Sequence, residues 1–198
     1  AFRNYVLDFF RTAFNLRILG GYTGSGKTAI LKELEKRGEQ VIDLEALAHH
    51  KGSAFGGLGE EAQPSTEQFE NDLFMEFRRR NINAPVWLED ESHMIGHVAV
   101  PIDLFRQVRE KELWFIKIPK ELRAKRLVKE YAWYEKEKLA AAIRKIRKRL
   151  GGQNEQQALA CLEEDNYAEV ARLVLRFYDK AYQKGMQKRD PGKVFAID

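Results

Sequence analysis

The chain has 198 residues, 44% of them hydrophobic and 32% charged, with a formal net charge of +4 and one cysteine. That length buries one substantial core, so one domain with a helical elaboration is expected, and no apolar run is long enough for a transmembrane helix. Cys161 alone excludes an internal disulfide, which fits a reducing compartment and makes the cytoplasm the expected location.

In chain order, Phe2, Val6, Phe9, Phe10 and Phe14 recur at helical spacing, so residues 1–15 are expected to form a leading amphipathic helix ahead of a domain over 16–198. Leu16 to Leu19 is a short apolar strand ended by Gly20 and Gly21, and Ile30, Leu31 and Leu34 then return at helical spacing. Val41 to Leu44 is a second strand, and residues 50–66 a glycine-rich loop without periodicity. Ser65 is placed to cap a helix running through Phe69, Leu73, Phe74 and Phe77, with Gln68 three positions on. Pro85 to Leu88, Leu113 to Ile118 and Val194 to Ile197 complete five strands. Between the last two lie a basic helix near 139–150, stopped by Gly151-Gly152, and another over 167–183, within a basic helical region of about 120–183. Strands alternating with helices argue a mainly parallel α/β sheet.

Gly21-Tyr22-Thr23-Gly24-Ser25-Gly26-Lys27-Thr28 matches the phosphate-loop pattern G-x-x-x-x-G-K-[ST]. Glycines let main-chain N–H groups close on phosphate oxygens, and a helix beginning near Lys27 adds its positive end. Gly21, Thr23, Gly24, Ser25 and Gly26 are therefore read as phosphate-binding, Lys27 as the charge on the terminal phosphates, and Thr28 as a Mg²⁺ ligand. With this loop the expected fold class is α/β: a P-loop NTPase-like three-layer domain with extra C-terminal helices. The alternative for the loop is a plain glycine turn with a solvated lysine.

Pro85 to Ser92 is an apolar strand that ends in Glu89, Asp90 and Glu91, at the edge where open α/β sheets bind ligands. Asp90 or Glu89 is read as holding Mg²⁺ and Glu91 as orienting a nucleophile, unless these acids simply begin a helix. Arg123 and Arg126 fall on one helical face and are read as reaching a phosphate or diphosphate leaving group, or else as a solvated or RNA-facing surface. Residues 120–149 hold twelve basic residues against four glutamates, with Tyr131, Trp133 and Tyr134 among them, which suits phosphate contact and base stacking or a merely solvated face. His49, His50, His93 and His97 fit no zinc spacing, and Cys161 sits in an apolar stretch suited to packing.

Five blocks together resemble the P-loop domain of the tRNA 2-selenouridine synthase family: LGGYTGSGKT (19–28), DLEALAHHKGSAFGGLG (43–59), QPSTEQFEN (63–71), PVWLEDES (85–92) and RFYDKAYQ (176–183). The resemblance implies a transferase that geranylates wobble 2-thiouridine of tRNA from geranyl diphosphate and then exchanges the geranyl group for selenium from selenophosphate. It implies substrate contacts from the second block, taken as Asp43, Glu45, Ser53 and Phe55, with Ala54, Phe55 and Leu58 sheltering the prenyl chain. It also implies the tRNA anticodon region as partner and a rhodanese domain ahead of the P-loop domain. The chain opens at Ala1 without an initiator Met and is expected to be a truncated protein or separate subunit, residues 1–15 being the linker. The expected ligands are Mg²⁺ with geranyl diphosphate or a nucleoside triphosphate. Two other functions share these motifs: a small-molecule or nucleoside kinase, and a non-catalytic nucleotide- and tRNA-binding module.

Overall fold

The computed structural model describes residues 2–81 and 83–198. Contacts divide the chain into a sheet unit (Ala1–Gly21, Gly26–Ile116 and Arg189–Ile197) and a helical unit (Tyr22–Ser25, Lys117–Lys188 and Asp198).

The elements of the sheet unit begin with α1 (Phe2–Phe9), β1 (Leu16–Gly21), α2 (Lys27–Lys36), β2 (Gln40–Val41), α3 (Leu44–Leu47) and α4 (Thr66–Arg79). There follow β3 (Val86–Glu89), β4 (Met94–Ile95), β5 (Val98–Ala99), α5 (Ile102–Glu110) and β6 (Leu113–Ile116). In the helical unit are α6 (Lys120–Tyr131), α7 (Lys136–Lys145), α8 (Arg147–Leu150), α9 (Gly152–Glu163) and α10 (Tyr167–Met186). A 3₁₀ turn (Pro191–Lys193) and β7 (Val194–Ile197) return to the sheet unit.

The main sheet has the order β2-β3-β1-β6-β7, and all four pairings are parallel. Its central strands are short apolar runs because a parallel sheet flanked by helices is buried on both faces. Leu19 stands opposite Glu89 in the β1–β3 register, so the β1 loop and the acidic end of β3 leave the sheet side by side. This is the parallel α/β sheet expected from the alternation of strand and helix, with the P-loop expected from the motif at 21–28 following its central strand β1.

Around the sheet, α1 packs on α4 through aromatic edges: Phe2, Tyr5 and Phe9 lie 6.3, 5.7 and 4.9 Å from the Phe74 ring. Phe10 and Phe69 are wholly buried, each contributing about 2–3 kcal/mol of apolar burial. The Ser65 cap forms, its hydroxyl accepting from Gln68 N at 3.1 Å, but the Gln68 side chain reaches forward to Asp72 rather than back to the cap. The α1 turn is closed by Gln107 of α5, which accepts from Phe14 N and donates to Phe10 and Thr12 carbonyls.

The helical unit packs α10 on α6 through Ala124, Ala171 and Leu175, with Leu127 and Val128 beside them. Asn166 caps α10, and Arg172 ties it to Glu121 at 2.9 Å. Two helix expectations need correcting here. The basic helix near 139–150 is α7 and α8, broken at Ile146, and Gly152 opens a further helix. Gly151, in the left-handed region at φ 91°, is the junction.

Candidate functional site

The phosphate-loop motif leaves β1 and enters α2. Gly24 and Gly26 have φ of 78° and 88°, a backbone region that residues with a Cβ adopt only under strain. Ser25 N donates to Tyr22 O at 3.0 Å, closing a tight turn, and the Ser25 hydroxyl is buried without a partner. No side chain caps the start of α2, so its first amides and the helix dipole face whatever enters the loop. Lys27 is 9% exposed and Thr28 half-buried in that first turn.

Within the sheet unit, Lys27 meets a cluster of acids. Its Nζ lies 3.9 Å from Glu91 Oε1. Glu89, at the end of β3, is fully buried and accepts from Glu45 N through Oε2 at 3.3 Å. Glu45 is presented by α3, whose N-cap is Asp43, the Asp43 carboxylate accepting from Ala46 N at 2.8 Å. One oxygen each of Glu89 and Glu91 is buried without a hydrogen-bond partner. Gly52 of the glycine-rich loop packs directly on this cluster: a Cβ there would stand 2.6 Å from Glu91 Oε2 and 2.9 Å from Glu45 Oε1.

Such crowding raises the proton affinity of all three glutamates. Burial, then the charges of Glu91 and Glu89, pushes the Glu45 carboxyl up to about 9. Burial and Glu91 push Glu89 up to about 8, and burial raises Glu91 against the opposing pull of Lys27. One lysine does not neutralise this many acids in a low-dielectric site, so protons stay bound there near neutral pH. Among the described residues no group of three or more His, Cys, Asp or Glu is arranged to hold a metal ion.

The neighbouring Asp90 is treated differently. Its Oδ1 accepts from Arg109 at 2.9 Å and from Arg189 at 2.6 Å, and Arg189 also donates to the carbonyls of Val108, Arg109 and Lys111. The glycine-rich loop is held by its own backbone, with Lys51 N donating to Gly56 O at 2.9 Å. Ser53 Oγ accepts from Phe55 N at 3.2 Å, and Phe55 is 8% exposed. At the loop's end, Gln63 Nε2 donates to the carbonyls of Ala48 and Ile95 at 2.8 and 2.9 Å, and its Oε1 accepts from His97 N at 3.0 Å.

In the helical unit, Arg123 is 3% exposed and forms a two-pronged pair with Asp179, at 2.8 and 2.9 Å. Arg126, exposed, donates to Gly24 O at 3.1 Å.

The family model for the tRNA 2-selenouridine synthase AAA domain matches residues 14–198. The chain belongs to the tRNA 2-selenouridine synthase family. It is 36% identical to a tRNA 2-selenouridine synthase of Hydrogenovibrio crunogenus over 96% of this chain and 60% of that protein. It is 33% identical to one of Shewanella loihica over 100% of this chain and 61% of that protein. The chain therefore spans about 60% of the length of the curated relatives it matches.

Of the residues that the sequence singled out, the structure brings Lys27, Glu45, Glu89 and Glu91 together with Gly52 in the sheet unit, while Arg123 and Arg126 join Thr23 and Gly24 in the helical unit. Sequence reasoning missed Arg109, Arg189 and Asp179. Asp179 lies inside the family block RFYDKAYQ, so its position was marked but its partner was not. No helix among the described residues is long and apolar enough to cross a membrane.

Proposed function

We propose that this domain handles the diphosphate in a tRNA-modifying transferase: it binds geranyl diphosphate on residues 21–28 and transfers the geranyl group to the sulfur of wobble 2-thiouridine. The observation that carries this reading is the buried grouping of Lys27 with Glu45, Glu89 and Glu91 at the start of α2, in a chain of this family. In the reaction the allylic carbon–oxygen bond breaks, a carbon–sulfur bond forms, and the thiouridine loses its N3 proton. Lys27 and the loop amides stabilise the charge that develops on departing diphosphate. Glu91, 3.9 Å from Lys27, is assigned to orient the attacking nucleotide, and the N3 proton passes to solvent. Phe55 and the loop around it shelter the prenyl chain, with Asp43, Glu45 and Ser53 shaping that loop and its approach. In the full enzyme a rhodanese domain would take part in the exchange of geranyl for selenium from selenophosphate.

The donor set also fits Mg²⁺. Thr28 offers a hydroxyl at the first turn of α2, and Glu91 and Glu89 each keep a buried oxygen without a hydrogen-bond partner, whereas Asp90 already accepts from two guanidinium groups. Thr28, Glu91 and Glu89 are thus the residues to hold the ion, which would offset charge on the leaving diphosphate. The RNA surface is assigned to the helical unit, where Arg144, Lys145, Lys148 and Arg149 are exposed and Trp133, 71% exposed, stacks on Tyr134 at 3.9 Å. A tRNA-modifying role of this kind places the protein in the cytoplasm.

Titration of the chain with geranyl diphosphate, ATP and GTP, with and without Mg²⁺, tests the ligand. Addition of an anticodon stem-loop containing 2-thiouridine should then yield RNA heavier by one geranyl group. ATP-dependent phosphorylation of a free metabolite without tRNA would replace this reading with a kinase. Modification that survives Lys27→Ala in the full assembly would reduce the loop to a structural or regulatory site.

A further inference from the structure

We infer that Asp179 and Arg123 form a brace that sets the shape of the phosphate loop, and that Asp179 is a positioning residue for phosphate binding. All the groups involved lie within the helical unit, which contains the loop's crown, Tyr22–Ser25. The inference rests on the loop being the phosphate site, as proposed above.

Arg123 spends its donors on the protein itself. Nε donates to Ile118 O at 3.1 Å, Nη1 to Thr23 O at 3.2 Å and to Asp179 Oδ1 at 2.8 Å, and Nη2 to Asp179 Oδ2 at 2.9 Å. The guanidinium also lies 4.9 Å from the centre of the Tyr22 ring, which in turn meets Tyr182 edge-on at 6.0 Å. Four of five N–H groups and one flat face are thus engaged, which leaves Arg123 no freedom to swing onto a ligand. Its work is done on the loop.

That work is geometric. A peptide unit is planar and trans, so the direction of one carbonyl fixes the opposite direction of the following N–H. Arg123 draws on Thr23 O, and this orients the Gly24 amide away from α6. Arg126 draws on Gly24 O at 3.1 Å, which fixes the next peptide plane, and Ser25 N donates to Tyr22 O at 3.0 Å. Gly24 lies so close to α6 that a Cβ would stand 3.1 Å from Arg123 O and 3.3 Å from Leu127 Cγ. Asp179 supplies the charge that lets a buried guanidinium sit there and the two acceptors that fix its plane. The block RFYDKAYQ therefore belongs to the phosphate machinery although it lies far along the chain: Asp179 orients the arginine and Tyr182 backs the Tyr22 ring.

Two readouts test this on the full chain: calorimetric affinity for inorganic diphosphate, and hydrogen exchange at Gly24 and Ser25 without ligand. Asp179→Asn should weaken diphosphate about tenfold and speed exchange at these amides about tenfold. Arg123→Lys, which keeps the charge but cannot reach Thr23 O and Asp179 together, should do the same, and serves where Asp179→Asn does not fold. The exchanged pair Arg123→Asp with Asp179→Arg keeps an ion pair but leaves Thr23 O without its donor, so both defects should persist. Full recovery in that double variant would make the pair a mere structural bond and overturn the brace. Wild-type diphosphate binding with unchanged affinity and exchange in Asp179→Asn would overturn it too. If the wild type binds no diphosphate, the functional proposal fails, and the exchange arm decides the brace by itself.

Discussion

Two buried charge clusters in this molecule have opposite characters. Arg123 and Asp179 in the helical unit are matched one to one, with two parallel hydrogen bonds and most other donors satisfied. Lys27 in the sheet unit faces Glu45, Glu89 and Glu91, whose proton affinities are all raised and two of which keep an oxygen without a hydrogen bond. The difference teaches that burial of charge alone does not mark a ligand site. A matched cluster is finished by the protein, and an unmatched one is finished by protons until something else arrives.

Four experiments break or sharpen this contrast. Asp179→Ala strips the matched cluster of its anion and leaves a buried guanidinium, so it should cost about 3–5 kcal/mol of stability, read by denaturant unfolding. A loss below about 1 kcal/mol would mean that water already compensates Arg123. Lys27→Ala should instead spare most of the stability, because its acids take up protons, while weakening diphosphate binding on the order of 100-fold in calorimetry. If the two variants exchanged these phenotypes, the assignment of site and scaffold would be reversed.

The next effect is a pH dependence. Glu45 and Glu89 bind protons more tightly folded than unfolded, where a glutamate titrates near 4.5. Between about pH 4.5 and 8–9 the folded state therefore holds more protons, and its stability falls as pH rises through that window. Glu89→Gln should flatten this slope, raising stability by on the order of 1–2 kcal/mol at pH 8 and leaving it unchanged near pH 4, as thermal melts at each pH would report. A slope untouched by the substitution would show that Glu89 is not one of the proton holders. The smallest effect belongs to Trp133, outside both clusters: Trp133→Ala should weaken stem-loop RNA about fivefold by loss of stacking, with stability changed by less than about 0.5 kcal/mol, measured by anisotropy and melting.

The sequence makes some of this legible and hides the rest for physical reasons. The strands at 16–19, 85–88 and 194–197 announce themselves as apolar runs, and Lys27 and Thr28 are named by local spacing, because a phosphate loop is built from neighbours in sequence. Glu45 and Glu91 are visible as acids just beyond strands. The hairpin β4–β5 is too short for any periodicity, and α5 begins after Pro101 with no polar cap to mark it. Arg189 and Asp179 are invisible for a different reason. Their partners lie 99 and 56 positions away, and nothing in KRDP or FYDK says which distant charge will meet them.

Gln63 has a consequence for how the glycine-rich segment tolerates substitution. One amide grips the chain at Ala48, where the segment sets out, and at Ile95 and His97 of the hairpin, so the segment is a hoop tied at its neck. The entropy of closing such a hoop is met when the protein folds, whether or not cargo ever enters. On the function proposed above, substitutions along the rim would change the fit to a prenyl chain without opening the hoop, whereas loss of the Gln63 amide would release Ala48, Ile95 and His97 together.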